Sequence, residues 1–502
     1  MISSTKPVHV SSPNDLQTRI DYHNLKFCEI IDNEGTPTIA VYDGYENRLR
    51  YIPLHELSDD RDKWAWDMSN AVCWQLPTNI DPLGGEAYYD DWTWEKVQDR
   101  FVNIANRILR LLERSMYFKD YRYPAICVNF IFNSYFRDCF RYAPRMILSG
   151  STQSGKTRLQ NIQAGLCYRG FATIKPTFAS MFRLINNYQI TPIIDEIQRL
   201  KGSPRDDLED IFLSGDQQNR PIVRTNMNTL KTESFNIYAP MIVSKKAGGY
   251  TPEDMENRSF SLKMIENRNK KIDPTLDLKE IESIRNDLYS LHALYRIHPE
   301  VFHLEELFQK SIGELTEKDS AGRHVCDYLR ASNDNESLIG RSLDIATTYY
   351  PLSRLTCTEA DILSLLTDEQ RYSTERLKET IESRIHHSLV LCCNQYAKDH
   401  GVSGFGDIIT RVPTKDITDL YNRIQEEDGN QRNSMDRITG NKVTRTLRDL
   451  GFDIRTGTGG KSYIKWTEDI DNILDINQEK FGTEEDQVML EILRKRGMKS
   501  KS

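Results

Sequence analysis

Eight consecutive residues, Gly150-Ser151-Thr152-Gln153-Ser154-Gly155-Lys156-Thr157, hold the densest chemical information in the sequence. Glycines bounding a run of small polar residues let the chain turn with its backbone N–H groups facing inward, which makes a cradle for an anion. Met146-Ile147-Leu148 before the run is short and apolar, as a buried parallel strand is. Arg158-Leu159-Gln160-Asn161-Ile162 after it begins a helix, whose N-terminus adds a positive end. A G-x-x-x-x-G-K-[ST] pattern between strand and helix is that of a triphosphate-binding loop. On this reading Gly150 to Gly155 surround the phosphates of ATP. Lys156 reaches the β- and γ-phosphates, and the Thr157 hydroxyl ligates Mg²⁺.

Such a loop needs a carboxylate on a neighbouring strand. Ile193-Ile194-Asp195-Glu196 supplies two. Asp195 is expected in the metal shell and Glu196 as the general base that activates water. Adjacent carboxylates after an apolar run repel each other unless a cation stands between them. Pro192 is expected as the first residue of this strand. Further on, Met241-Ile242-Val243-Ser244 reads as a core strand with Ser244 placed to sense the γ-phosphate and Lys245 as the alternative. Runs at Arg220–Thr225 and Ser234–Tyr238 flank the turn-rich 226–231 and predict a β-hairpin. Asn257-Arg258 precedes the alternating Ser259–Met264. Arg258 is the first choice for an arginine reaching a neighbour's phosphate, with Arg220 and Arg224 as competitors. The plain alternative for Arg258 is an ion pair with Asp254 or Glu256.

The elements around these residues imply an α/β fold of several parts. A polar stretch at 1–20 is expected to be disordered. An N-terminal accessory domain spans 21–118, with a small β unit from His23 to Leu54 and tryptophans at Trp64, Trp66, Trp74, Trp92 and Trp94. These form either a packed core or a base-stacking surface. The P-loop core spans 119–270. A helical region follows at 271–405, with loops near 332–337 and 367–373. A winged-helix pattern occupies 406–470, and a charged helical tail 471–502.

In the winged-helix region Val443, Leu447 and Leu450 form a buried stripe, leaving Asn441, Lys442, Arg445 and Arg448 outside it. Two short strands follow, with Arg455 and Lys461 between and within them. Basic residues outnumber acidic ones seven to two over 437–466, in a chain of net charge −8. That local excess suits DNA, although winged helices also dock proteins.

The P-loop, Phe182-Arg183, Asp195-Glu196, Val223-Arg224, Ala239-Pro240 and Glu256-Asn257-Arg258-Ser259 together resemble a helicase-like ATPase module of plasmid, phage and integrated-element proteins. The layout is similar to AAA+ replicative helicases of the superfamily 3 and minichromosome-maintenance types, over roughly 120 to 470. The resemblance implies a homo-oligomeric ring, usually a hexamer, moving along single- or double-stranded DNA with ATP and Mg²⁺ as cofactors. It also implies replication partners such as a primase or polymerase, although no primase motif stands in 1–120. In related motors the hairpin points into the ring channel; here its tip offers Asn226, Asn228 and Lys231 for phosphate contact. The chain departs from the family in Asn257-Arg258, where Asp-Arg is usual, and in Ser244-Lys245-Lys246, where a small residue and a glycine usually follow the strand.

The expected function is an ATP-dependent DNA helicase or translocase of a mobile genetic element. The alternative is an ATP-switched replication initiator that assembles on DNA without unwinding it. No run of about eighteen apolar residues occurs, so no membrane span is expected. The N-terminus lacks the apolar core of a secretory signal, and the cysteines show no metal-ligand spacing; a cytoplasmic location is expected.

Overall fold

The computed structural model describes residues 25–43, 48–53, 74–81, 92–174, 176–197, 203–225, 231–247, 249, 251–266, 272–317, 326, 340–378, 380–399, 411–427, 437–457, 461–465 and 470–498. The expected disordered N-terminus, Trp64, Trp66, Asn226, Asn228, the 332–337 loop and the terminal 499–502 lie outside the described residues. The chain divides into two compact units, Met1–Thr367 and Asp368–Ser502.

The first unit opens with an antiparallel sheet of β1 (Leu25–Asn33), β2 (Thr36–Asp43) and β3 (Arg48–Pro53), as the turn residues predict. Glu34 and Gly35 join β1 to β2 with φ of 52° and 81°, the left-handed pair that a two-residue hairpin turn demands. Helix α1 (Trp94–Ser115) starts where the Thr93 hydroxyl accepts the Lys96 N–H, and buries Val97, Phe101, Ile104, Ile108 and Leu111 along one stripe. Helix α2 (Tyr123–Phe136) is buried on every side, so it forms the centre of the helical layer. Trp74 is buried, and Trp92 and Trp94 pack half-buried against the core, so the described tryptophans are packing residues.

Next come β4 (Arg145–Gly150), α3 (Lys156–Leu166), β5 (Gly170–Thr173), α4 (Phe178–Tyr188), β6 (Thr191–Ile194) and α5 (Ser203–Ser214). A hairpin of β7 (Ile222–Thr225) and β8 (Thr232–Phe235) follows, then β9 (Met241–Lys246), α6 (Glu253–Glu256) and β10 (Phe260–Met264). Five strands form one wholly parallel sheet in the order β10-β4-β9-β6-β5. Helical crossovers cover both faces of the central strands, which is why β4, β6 and β9 each open with a continuously buried run, while the edge strand β10 alternates.

Pro192 is the second residue of β6, not the first as expected. The Thr191 and Asp195 amides bond to Arg169 and Thr173 on the β5 side, so the Pro192 nitrogen faces β9. Pairing with β9 begins only at Ile193, and the missing N–H leaves no bond unmade.

The unit closes with α7 (Leu278–Ile297), α8 (Pro299–Phe302), α9 (Leu304–Thr316), α10 (Gly340–Leu355) and the start of α11 (Glu359–Lys378), whose residues from Asp368 belong to the second unit. Residues 367–373, read as a loop, lie inside α11. Their polar composition carries no apolar stripe, but Glu369, Gln370 and Arg371 at the centre are good helix formers and none of the seven is Gly or Pro. Helix α7 packs on α1, α2, α3 and β1, tying the N-terminal strands to the parallel sheet.

That tie contains a buried ion pair. Arg169 donates to Glu29 Oε1 at 2.7 Å with both side chains 1% exposed, and Tyr168 Oη donates to Glu29 Oε2 at 2.6 Å. Burial opposes the charge on Arg169, but the adjacent Glu29 carboxylate outweighs it and holds the pKa above the ordinary arginine value. Glu29→Gln leaves the guanidinium without its counter-ion in the interior. It is expected to destabilise the chain by about 3–5 kcal/mol, read from the urea midpoint of the full-length protein. A loss under about 1 kcal/mol, the range of a surface pair, would contradict this.

The second unit contains α12 (Ile381–Asp399), β11 (Arg411–Pro413), α13 (Thr414–Glu427), α14 (Gly440–Asp449), β12 (Ile454–Thr456), β13 (Ser462–Lys465), α15 (Ile470–Phe481) and α16 (Glu484–Met498). The strands form an antiparallel sheet in the order β11-β13-β12. Ile385, Leu389, Val412, Ile417, Val443, Leu447, Phe452 and Ile464 share its core with Leu474 and Leu490.

On α12, His386 is buried and His387 half-buried. His386 Nε2 lies 3.0 Å from Gln478 Oε1, and His387 Nδ1 lies 2.6 Å from Asp486 Oδ1. Burial pushes the His386 pKa down. Burial would push Asp486 up, but hydrogen bonds from His387 and Thr483 hold it below the usual carboxylate range. His386 therefore takes a proton more readily when unfolded, and its stabilisation is lost as the pH falls below about 6.5. Asp486 adds stability that is lost lower, as the pH falls through about 4. His292 in the first unit is also pushed down by burial and acts in the same direction as His386. The melting temperature of the full chain is expected to decline in two stages, one below about pH 6.5 and one below about pH 4. His386→Gln should lessen the upper stage, leaving the share due to His292, and a melting temperature constant from about pH 7 to 5 in the original chain would contradict the assignment.

Candidate nucleotide site

Strand β4 runs straight into the glycine-bounded turn, and α3 starts from it at Lys156. Gly150 has no room for a side chain, since a Cβ there would lie 2.3 Å from the Met264 carbonyl oxygen on β10. Gly155 has φ +86°, the left-handed region, and Met116 at the end of α1 lies under it. Leu159, Ile162 and Leu166 bury one face of α3 and fix its direction. Ser151, Thr152, Gln153 and Thr157 are exposed, and Ser154 is buried. The Thr157 hydroxyl is thus open to a ligand.

Lys156 is 9% exposed, and its ammonium donates to the Gly150 and Ser151 carbonyls, both at 2.7 Å, and to Ser154 Oγ at 3.3 Å. Its pKa lies below the ordinary lysine value. Burial is the main cause and Lys246 adds to it, while Asp195 and Glu196 act in the opposite direction. The loop lysine, both carboxylates and a second lysine therefore share one electrostatic neighbourhood.

Strand order explains how they meet. β9 lies between β4 and β6, with Leu148 beside Ser244 and Gly150 beside Lys246 on one side, and Ile194 beside Val243 on the other. Asp195 follows β6 directly and comes level with Ser244. The Ser244 hydroxyl donates to Asp195 Oδ1 and accepts the Glu196 N–H at 3.0 Å. Glu196 has φ 53°, an uncommon left-handed backbone for a non-glycine residue. Lys246 was not anticipated. It follows Lys245 with no distinguishing pattern, and only the register with Gly150 brings it to the turn.

The residues suit a magnesium-bound triphosphate: an open hydroxyl, hard carboxylate oxygens, a cation and a cradle that a Cβ would fill. Two expectations change. Lys245, the alternative sensor, is engaged with Glu256 at 2.7 Å. Arg258 pairs with Asp216 at 2.6 Å, and also donates to the Leu213 carbonyl at 3.2 Å. Arg258 precedes β10, whose first residue Phe260 stands beside Met146. It thus lies at the edge where the strands begin, whereas the P-loop lies where they end. At about 3.3 Å per residue the two are separated by roughly 15–20 Å, so Arg258 does not meet this chain's own P-loop. Together with Arg145, Asp216 and Tyr349 it lines a small cavity.

The hairpin forms with Thr225 opposite Thr232, its second strand starting earlier than the alternation suggested, and Lys231 is exposed next to its tip. Asn441, Lys442, Arg445 and Arg448 form an exposed face of α14, while Val443 and Leu447 are buried. Thr439 caps this helix, its hydroxyl accepting the Lys442 N–H at 3.4 Å. Lys461 is exposed, and Arg455 is exposed and paired with Asp453 at 3.0 Å. Lys442, Arg445, Arg448, Arg455 and Lys461 belong to the second unit, and Lys231 and the P-loop to the first.

No protein-family model matches the chain. No curated protein matches it either. Among solved structures, an apo form of the NrS-1 C-terminal region aligns over 92% of this chain and 100% of that chain, at 11% identity and a TM-score of 0.32. SCCmec type IV Cch, described as an active helicase, aligns over 89% of this chain and 94% of that chain, at 13% identity and a TM-score of 0.31. Likenesses at this level carry neither fold nor function across to this chain. Among the described residues no helix is long and apolar enough to cross a membrane.

Proposed function

We propose that the chain is a magnesium-dependent ATPase that works as a ring-forming, DNA-translocating motor in the replication of a mobile element. The observation that carries this reading is the convergence of Lys156, Asp195, Glu196 and Ser244 at the end of one parallel sheet, beside an open Thr157. Lys156 exchanges its carbonyl partners for β- and γ-phosphate oxygens. Glu196 takes the proton of the attacking water, and Asp195 and Thr157 are the residues to hold Mg²⁺. The metal supplies neutralisation of the phosphate charge when bound. Asp195 and Glu196 then have different tasks, one facing the cation and the other the water.

Arg258 is the proposed trans residue. It is held by Asp216 at the edge away from its own P-loop, so a phosphate it served would be one held by a neighbouring copy, reached by releasing that carboxylate. Mixing Arg258→Ala chains into the original protein is expected to lower ATPase activity more steeply than the mutant fraction, because each ring loses several sites. A strictly proportional decline would remove the trans role.

In the second unit, α13, α14 and the β11-β13-β12 sheet suit a winged helix, and the exposed Asn441, Lys442, Arg445 and Arg448 suit the DNA backbone. The decisive experiment is ATPase turnover with and without single-stranded DNA, coupled to mass measurement in a non-hydrolysable ATP analogue. DNA-stimulated turnover and a closed oligomer are expected. ATP-dependent assembly on duplex DNA with no strand separation would favour the initiator instead.

A further inference from the structure

We infer that Ser244 is a positioning residue that presents the Asp195–Glu196 pair to the metal and the water, and that it does not sense the γ-phosphate. This rests on the ATPase reading of the same site. A serine hydroxyl owns one hydrogen. Ser244 gives it to Asp195 Oδ1 and accepts the Glu196 N–H on a lone pair at 3.0 Å. A γ-phosphate near neutral pH offers mainly acceptor oxygens, so Ser244 could bond to it only by releasing Asp195. Ser244 is also fully buried on β9, at 0% exposure, with β4 on one side and β6 on the other.

The two bonds act on different properties of the pair. The bond to Oδ1 fixes the Asp195 carboxylate rotamer and leaves Oδ2 for a metal's hydration shell. The bond from the Glu196 amide holds a peptide in the left-handed region, at φ 53°, which few non-glycine residues adopt unaided. Backbone direction at residue 196 decides where its carboxylate points. One hydroxyl on the strand between the P-loop and the acidic pair therefore sets both carboxylates relative to the loop. Groups that orient a metal ligand in this way change metal affinity or activity by about 10–100-fold when removed.

The test measures binding of ADP and of a non-hydrolysable ATP analogue by calorimetry, across a Mg²⁺ titration and in EDTA, for the original chain, Ser244→Ala and Ser244→Thr. Ser244→Ala is expected to raise the Mg²⁺ concentration for half-maximal analogue binding by about tenfold or more. It should leave the ratio of analogue to ADP affinity at saturating Mg²⁺ within about twofold, and binding in EDTA unchanged, since neither reports on the carboxylates. Ser244→Thr keeps the hydroxyl on a strand that favours β-branching, and is expected to restore the Mg²⁺ requirement. It also serves as the folded comparison if the alanine variant proves unstable, with Ser244→Cys supplying a weak donor of similar size. An analogue-to-ADP ratio that falls tenfold in Ser244→Ala with an unchanged Mg²⁺ requirement would make Ser244 a phosphate sensor and overturn the inference. If the original chain binds no magnesium nucleotide, the ATPase reading fails and takes this inference with it. If the original chain binds and Ser244→Ala binds identically, the inference alone fails.

Discussion

Lys156→Ala is expected to abolish binding of magnesium nucleotide, with affinity falling by a hundredfold or more. The ammonium occupies the inside of the turn, held by the Gly150 and Ser151 carbonyls and Ser154 Oγ. A bound triphosphate replaces those neutral acceptors with anionic oxygens. Hydrogen bonds involving a charged group are worth about 1.5–3 kcal/mol each. Two of them account for roughly a hundredfold or more in affinity. The mutation also removes one of the cations near Asp195 and Glu196, so an incoming magnesium nucleotide meets two carboxylates balanced only by Lys246 and its own metal. Lys156→Arg is not a rescue, because a planar guanidinium does not replace a compact ammonium among three converging oxygens. Calorimetry with ADP and a non-hydrolysable analogue measures the loss. Affinity within about threefold of the original would mean that the turn is not a phosphate site.

Glu196→Gln is expected to keep nucleotide binding and lose turnover by about 10²–10⁴-fold. The amide preserves size and the backbone N–H bond to Ser244, so the strand end keeps its shape. It no longer accepts a proton from water. Binding and hydrolysis therefore separate in this variant, whereas Lys156→Ala loses both. Single-turnover phosphate release with saturating ATP is the appropriate measurement. Hydrolysis at the original rate would move the general base elsewhere, and Asp195→Asn would then be the next variant to compare.

Several parts of the site were legible because local sequence decides them. The turn needs glycines at fixed places, and Gly150 and Gly155 stand there for separate reasons: one has a carbonyl where a Cβ would go, the other a left-handed backbone. Strand, turn and helix are contiguous, so their order is visible without any tertiary contact. The α14 face was readable for a similar reason. Helical periodicity separates Val443 and Leu447 from Lys442, Arg445 and Arg448 wherever the helix packs. Other assignments depended on partners far along the chain. The ion-pair partner of Arg258 is Asp216, more distant than the two nearby carboxylates that the sequence offered. The partners of Lys245 and Ser244 likewise come from the packing of α6 and β6.

The sequence by itself determined the phosphate-binding turn, the strand that ends in two carboxylates, and the amphipathic faces that bury the helices. Each is a short-range pattern of residue type and spacing. Only the tertiary structure decided that β9 lies between β4 and β6, which puts Ser244 against Asp195 and Lys246 beside Gly150. It also decided that Arg169 closes on Glu29, and that Arg258 stands at the far edge of the sheet. The physical reason is that strand order and buried charge pairing join residues across long stretches of chain. Many partners satisfy the local pattern equally, and only the packed interior, where an unpaired charge is costly, selects one.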